Sequence, residues 1–378
     1  MSTEDNRSLL IIMTLVHMVN DGFEMVVPTL MPIMAVSIGL SYSQIGIVSG
    51  VLVLAMGLGQ AFVGVGSDLI GHKKHMIIFG VVLSSIGLMV MGVSSNYQIM
   101  LLGGVLIGFG LSIYHPVSMA IITNRFISST GRAVGIHGCG GNTGMFLFPL
   151  IAGVLADIIG WRETLFLFPI VGLVIIFVYW ALAQDEKVEM GEFEPRKLMV
   201  PALAIIIISI GVFNMATRGF FTYFPVTLES IGFSASAIGV YFSSFFGIGI
   251  IGQYLGGCIS DRYDNVRSLF ILLLISGASM YACLQYHDGI ALLSAVAVAG
   301  LCVNMIWPIF FVLYAKKTPP ALRGTGFGLF FSTNYIFAAS SPIIMGQLGT
   351  AYSNSAANML VLVTCILGAI TILFLKRN

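Results

Sequence analysis

Three observations predict an all-α membrane protein of twelve transmembrane helices arranged as two pseudo-symmetric six-helix bundles. Of the 378 residues, 57% are hydrophobic and only 9% charged, against roughly 25% charged in a soluble domain, and the mean hydropathy is +0.99. Apolar runs of about 20 residues, the length that crosses a bilayer, recur between Gly, Pro or charged breaks. The second half of the chain repeats polar landmarks of the first.

The spans fall at residues 9–36, 44–65, 76–94, 98–123, 133–157, 163–183, 199–228, 237–259, 268–286, 289–314, 324–349 and 355–375. Twelve spans place both termini on one side. On that side lie Arg7, Lys73, Lys74, Arg125, Arg132, Lys187, Arg196, Lys197, Arg262, Arg267, Lys316, Lys317, Arg323, Lys376 and Arg377, while Arg162 lies opposite and Arg218 within a span. The excess of basic residues makes the shared side cytoplasmic, in an inner or cytoplasmic cell membrane. The opening residues carry acids where a secretory leader would be basic, and the run behind them is too long for one, so the first span is expected to be retained. Cysteines 139, 258, 283, 302 and 365 lie in or beside apolar spans without metal-type spacing, so free thiols are expected, with no zinc site. The polar stretch Gln184 to Lys197 reads as a solvated linker, dividing the chain into bundles 1–183 and 199–378 about a segment 184–198. A net charge of +1 and the lack of a basic tail give no sign of nucleic acid.

Gly59-Gln60, Gly64 and Ser67-Asp68 return as Gly252-Gln253, Gly257 and Ser260-Asp261, displaced by 193 positions. His115-Pro116 falls on Trp307-Pro308, and Arg132 with Gly135 falls close to Arg323 with Gly326 at nearby offsets. A duplicated six-helix unit is the pattern of a secondary transporter with its site at the repeat interface.

The first span carries His17, Asn20, Asp21 and Glu24 at the i, i+3, i+4, i+7 spacing of one helical stripe. A carboxylate at mid-membrane costs about 2.5 to 3.5 kcal/mol, whereas each Leu, Ile, Val or Phe returns about 0.3 to 0.6. Such a stripe faces protein or water, and intramembrane acids default to function. Asp21 and Glu24, with His115 and His137, are the candidates for proton coupling. Arg218, at the level of Glu24 by the repeat, is expected to pair with an acid across the two halves. His17, Asn20, Glu24, His115, Asn142, Arg218, Asn304, Trp307, Asn334 and Tyr335 are the candidates for substrate binding.

The loop from Gly64 through Asp68 and Gly71 to His72, Lys73 and Lys74 matches G-x-x-x-D-x-x-G-[RK]-[RK] with His72 in place of the first basic residue. Gly135, Gly144, Pro149 and Gly153 follow G-x8-G-x3-G-P-x2-G-G with Phe148 and Ala152 in place of two glycines. These patterns resemble the cytoplasmic loop signature and the helix-five antiporter motif of the major facilitator superfamily. His-x-x-Asn-Asp in the first span, His-Pro in the fourth and His-Gly-x-Gly-Gly-Asn-x-Gly in the fifth resemble its fosmidomycin-resistance branch. The resemblance implies a monomeric exporter of small polar or amphipathic compounds, anionic ones included, driven by protons, working by alternating access without a cofactor. It makes Gly64, Asp68, Gly71, Lys73, Lys74, Arg132, Asp261 and Arg323 gate candidates. The R-x-x-Q-G pattern of many proton-linked exporters is absent, Gly104 standing at its Arg position, so other groups must titrate. A proton symporter importing an organic anion or a sugar-like solute stays open as the alternative. No metal-ligand motif, nucleophile elbow or phosphate loop occurs in its required context, which argues against an enzyme, and no extramembrane domain is large enough for a receptor.

Overall fold

A computed structural model describes residues 3–70, 72–126, 130–183, 200–286, 289–318 and 323–377. Among them the regular elements are helical: α1 (Thr3–Ile38), α2 (Tyr42–Ile70), α3 (Lys73–Gly92), α4 (Tyr97–Ser112), α5 (Tyr114–Arg125), α6 (Thr130–Ile159), α7 (Trp161–Leu182), α8 (Pro201–Ser230), α9 (Ala235–Arg262), α10 (Asn265–Gln285), α11 (Gly289–Lys317), α12 (Arg323–Ala351) and α13 (Asn354–Leu373). The expected linker and Gly71 of the loop motif lie outside the described residues.

Two details differ from the sequence reading. The fourth span, expected as one helix, breaks at Ile113 into α4 and α5. Pro116 has no backbone N–H to offer the carbonyl one turn earlier, so it sits in the first turn of a new helix, where that donor is not needed. Among the described residues eleven stretches are long and apolar enough to cross a membrane, the broken fourth among them. The remaining long helix, α12, has 29 residues but carries Ser332, Thr333, Asn334, Ser340 and Ser341 along its middle.

Each bundle is packed by the same scheme. In the first, α1 lies on α6, α4 on α2 and α3, and α7 on α3; in the second, α8 lies on α12, α11 on α9 and α10, and α13 on α10. The halves meet along two seams, α2 against α12 and α6 against α9. Both seams use one joint, twice. Gly239 packs on the carbonyl of Pro149, and Gly46 packs on that of Pro342; Gly153 meets the carbonyl of Ala235, and Gly346 that of Tyr42. Within each pair of contacts, every residue of one is displaced by 193 positions from its counterpart in the other. Only hydrogen fits on the glycine side, so two backbones approach closely, as small residues allow in membrane bundles. Gly39 and Gly232, also a repeat pair, end α1 and α8 with φ of 77° and 91°, the left-handed conformation that stops a helix.

The seams are closed from mid-membrane to the face opposite the termini. On that face Asp157 accepts hydrogen bonds from the backbone N–H groups of Ala235 (3.1 Å) and Ser236 (2.8 Å), which sets a carboxylate on the positive end of α9. The hydroxyl of Tyr223 lies 3.0 Å from the carbonyl oxygens of both Tyr42 and Pro342. Nearer the midplane Ser332 Oγ donates to Gly57 O (3.1 Å), and Asn142 and Gln253 exchange amide hydrogen bonds of 2.7 and 3.3 Å. One turn further toward the termini, side chains added at Gly138, Gly257 and Gly328 would meet nothing within 4 Å. The bundles therefore diverge toward the terminal face.

Gly153→Val places a branched side chain against the Ala235 carbonyl, an overpacking worth about 1–3 kcal/mol against the closed seam. The expected result is a shift to the state open at the other face. A cysteine introduced at Gly138, with Cys139→Ser, reports it as slower modification by a polar thiol reagent.

Candidate functional site

The mid-membrane polar residues of α1 are buried, with His17, Asp21 and Glu24 at 8%, 4% and 2% exposure. They form two clusters with different partners. The first stays within the N-terminal bundle. Asp21 Oδ2 lies 3.1 Å from His17 Nε2 and Oδ1 lies 3.3 Å from His115 Nε2, while Asn20 Nδ2 donates to Oδ1 at 3.1 Å. His17 Nδ1 is 2.8 Å from the carbonyl oxygen of His137. A carbonyl only accepts, so Nδ1 carries the hydrogen and Nε2 faces Asp21. The His137 ring stacks on His17 with centroids 4.3 Å apart.

Glycines at 140, 141 and 144 explain why α6 comes so near. A side chain at Gly140 would strike the Thr14 carbonyl, one at Gly144 the Met18 carbonyl, and one at Gly141 the facing atoms of His17 and Asp21. Phe148, where the antiporter motif has glycine, packs its ring against Gly22 of α1 and stacks with Phe168 at 5.2 Å. The glycine has moved to the other helix of the pair. His115 is set by the helix break: Tyr114 Oη donates to Met13 O at 2.5 Å, holding the start of α5 on α1.

The second cluster joins the bundles. Arg218 of α8 makes an ion pair with Glu24, and its guanidinium stands 5.1 Å from the centroid of Tyr335 of α12, within cation–π range. Among the described residues no hydrogen bond from another group reaches either Glu24 oxygen. Arg218 is thus what makes a charged Glu24 tolerable at this depth.

Other candidates turn elsewhere. Asn142 binds Gln253 across the α6–α9 seam. Asn304 donates to Gly300 O (2.8 Å) and fills the space over Gly249, so it packs α11 on α9. Asn334 accepts from Asn214 (3.2 Å) inside the second bundle, and Trp307 is partly buried beside Phe311. Of the gate set, Lys73 is fully buried, Lys74 lies 5.8 Å from the Trp180 ring and Asp261 is exposed. The side chains at Gly64, Asp68, Arg132, Gly135 and Arg323 lie outside the described residues. In the motif of α6, Gly144 faces α1 whereas Pro149 and Gly153 face α9. The sequence reading missed Asp157 and Asn214 as joint residues; Gln253 was visible in the repeat but without its partner.

Removing one member of a buried ion pair costs about 3–5 kcal/mol because the other is left unpaired. Arg218→Ala is expected to lower thermal stability in detergent, and the double variant with Glu24→Gln to recover much of the loss. Equal losses from each single change with no recovery in the double would mean that the two act separately.

The sequence profile of the Major Facilitator Superfamily matches residues 13–234 and 206–378. The chain is 24% identical over 356 residues to an uncharacterized MFS-type transporter of Bacillus subtilis, covering 90% of this chain and 86% of that protein. It is 25% identical over 382 residues to the fosmidomycin resistance protein of Escherichia coli, covering 97% and 92%. Its fold is similar to that of a bacterial homologue of the human lysosomal transporter Spinster in an inward-facing, unoccupied conformation, with a TM-score of 0.81, 15% identity and coverage of 100% and 96%. With both halves matched and the duplicated six-helix fold in place, the chain belongs to the major facilitator superfamily, as a multi-pass membrane transporter rather than an enzyme.

Proposed function

We propose that this protein is a proton-coupled antiporter that exports a small polar compound bearing both an acceptor or anionic group and a donor group. The observation that carries the reading is the Glu24–Arg218 ion pair, which spans the two halves at mid-membrane. A substrate entering from the open face inserts between the two charges, its anionic group on Arg218 and its ammonium or hydroxyl on Glu24. That arrangement needs Glu24 ionised, so a proton on Glu24 and the substrate exclude each other. Mutual exclusion at one site is the coupling free energy that antiport requires. Glu24 rather than Asp21 carries the exchanged proton in this reading, because the partners of Asp21 all belong to one bundle and move with it. Both termini are cytoplasmic by charge placement, so the state with open terminal halves faces inward. Export is supported by the antiporter-like stripe of α6 and by the similarity to a protein named for fosmidomycin resistance.

The absence of other hydrogen bonds to Glu24 among the described residues favours a second reading for one substrate type. A simple anion without a donor group displaces Glu24 from Arg218 and leaves it with nothing but a proton to neutralise it. Anion and proton then load together, and the same site runs as a symporter.

Proteoliposomes with an imposed pH gradient and a lumenal pH dye distinguish these. Zwitterions and hydroxy acids are expected to drive protons opposite to their own movement, and simple monoanions with it. Glu24→Gln is expected to abolish solute-dependent proton movement while solute-for-solute exchange persists at a tenth or more of the normal rate. Solute flux indifferent to the gradient and to Glu24 would refute proton coupling at this site.

A further inference from the structure

The His17, Asp21 and His115 cluster takes no part in that exchange, and its geometry points to a different ligand. One ring nitrogen from each histidine and one carboxylate oxygen of Asp21 all lie within 4.8 Å of one another. A tetrahedral metal ion with bonds of about 2.0–2.1 Å holds its ligand atoms about 3.3–3.4 Å apart, and each histidine stands near that distance from its own carboxylate oxygen, His17 Nε2 3.1 Å from Oδ2 and His115 Nε2 3.3 Å from Oδ1. Because His17 Nδ1–H is committed to the His137 carbonyl, Nε2 is the nitrogen left to face a carboxylate oxygen, and without a proton or metal ion on it its lone pair points there. Two acceptors face each other, and a cation between them is what makes the contact favourable. The hydrogen bond that fixes the His17 tautomer and the one from Asn20 to Asp21 are the outer-shell bonds that orient metal ligands.

The internal repeat supplies a control. Asp21 and Asn214 are displaced by 193 positions, and in the second bundle that level is held by a neutral amide pair, Asn214 with Asn334. Packing at this depth is thus met without charge, and the donor set of the first bundle exceeds what the joint needs. Gly141 brings the α6 backbone against His17 and Asp21, so the cluster is closed on that side, and the His115 side chain, 25% exposed, is its opening to solvent. Two imidazoles with one carboxylate suit late first-row divalent ions, whereas calcium and magnesium prefer oxygen ligands.

We propose that His17, Asp21 and His115 form a three-ligand site for a late first-row divalent cation such as zinc, with its fourth position open on the His115 side. The test uses purified, tag-free full-length protein in detergent, with His72 and His75, a second histidine pair at 5.8 Å, both replaced by Ala. Cobalt(II) is the probe. The expected result is one bound ion per chain, the intense visible absorption of tetrahedral cobalt, its bleaching by zinc, and at least a tenfold loss of affinity in both His115→Ala and His17→Ala. If His17→Ala does not elute as a monodisperse peak, His115→Ala decides alone, its side chain being partly exposed. No tetrahedral spectrum in the parent protein overturns the proposal and leaves a proton as the cation of the cluster. Binding that survives His115→Ala overturns it too, by placing the ion elsewhere.

Discussion

A charge held at mid-membrane has no water to retreat to, and this constraint organises the molecule. Arg218 and Glu24 satisfy one another, but they sit on α8 and α1, in different bundles. Any separation of the halves at that level exposes two charges unless each acquires a new partner. In the proposed cycle the ion pair is both a latch and a vacancy sensor: it closes when the site is empty and yields to a ligand that replaces both halves of the interaction. Tyr335 on α12 shares the guanidinium, so three helices answer to the same event.

The duplicated unit explains how such a latch is allowed to move. Backbone-to-glycine joints at Gly239 on Pro149 and Gly46 on Pro342 recur at one displacement, and they bury no charged side chain, only the Tyr223 hydroxyl at the second. Contacts of this kind part without leaving a charge behind. The polar contacts of the seams differ between the repeats instead. Asn142 pairs with Gln253 in one seam; at the repeat position of Asn142 stands Tyr335, which turns to Arg218, and Gln60, the repeat partner of Gln253, has a buried amide nitrogen without a hydrogen-bond partner among the described residues. The scaffold is symmetric where it only packs. It is asymmetric where chemistry is done.

Much of this was legible in the sequence, and the reason is the bilayer. Composition, span length and basic-residue placement are set by the solvent rather than by long-range packing, so twelve spans and the repeat could be read directly. The stripe from His17 to Glu24 was legible because polar residues in an apolar helix stand out, and the pairing of Arg218 with an acid followed from its being the lone basic residue in a span. What the sequence could not give was side-chain direction. Asn304 and Asn334 look like cavity residues in a hydrophobic helix; in the structure Asn304 lies over Gly249 and Asn334 accepts from Asn214 through its oxygen. Asp157 reads as a helix-end charge until α9 places its first N–H groups over it. The three donors of the His17 cluster come from two helices nearly a hundred residues apart, so no local spacing motif announced them.

In the proposed mechanism the two clusters on α1 divide the work that a single acid would otherwise do. Glu24 lies three positions beyond Asp21 on the same stripe, about 4.5 Å further along the axis, and at that level the partner is Arg218 of α8 instead of a histidine of the first bundle. A transporter that used one carboxylate both to hold its bundle together and to exchange a proton would loosen α1 from α5 and α6 in every cycle. Here the contacts of Asp21 with His17 and His115 fasten α1 to α5, and the His17 bond to the His137 carbonyl fastens it to α6. The bundle can then rock as a rigid body. The freedom to change partners is confined to Glu24, the one acid of the stripe whose partner lies across the seam.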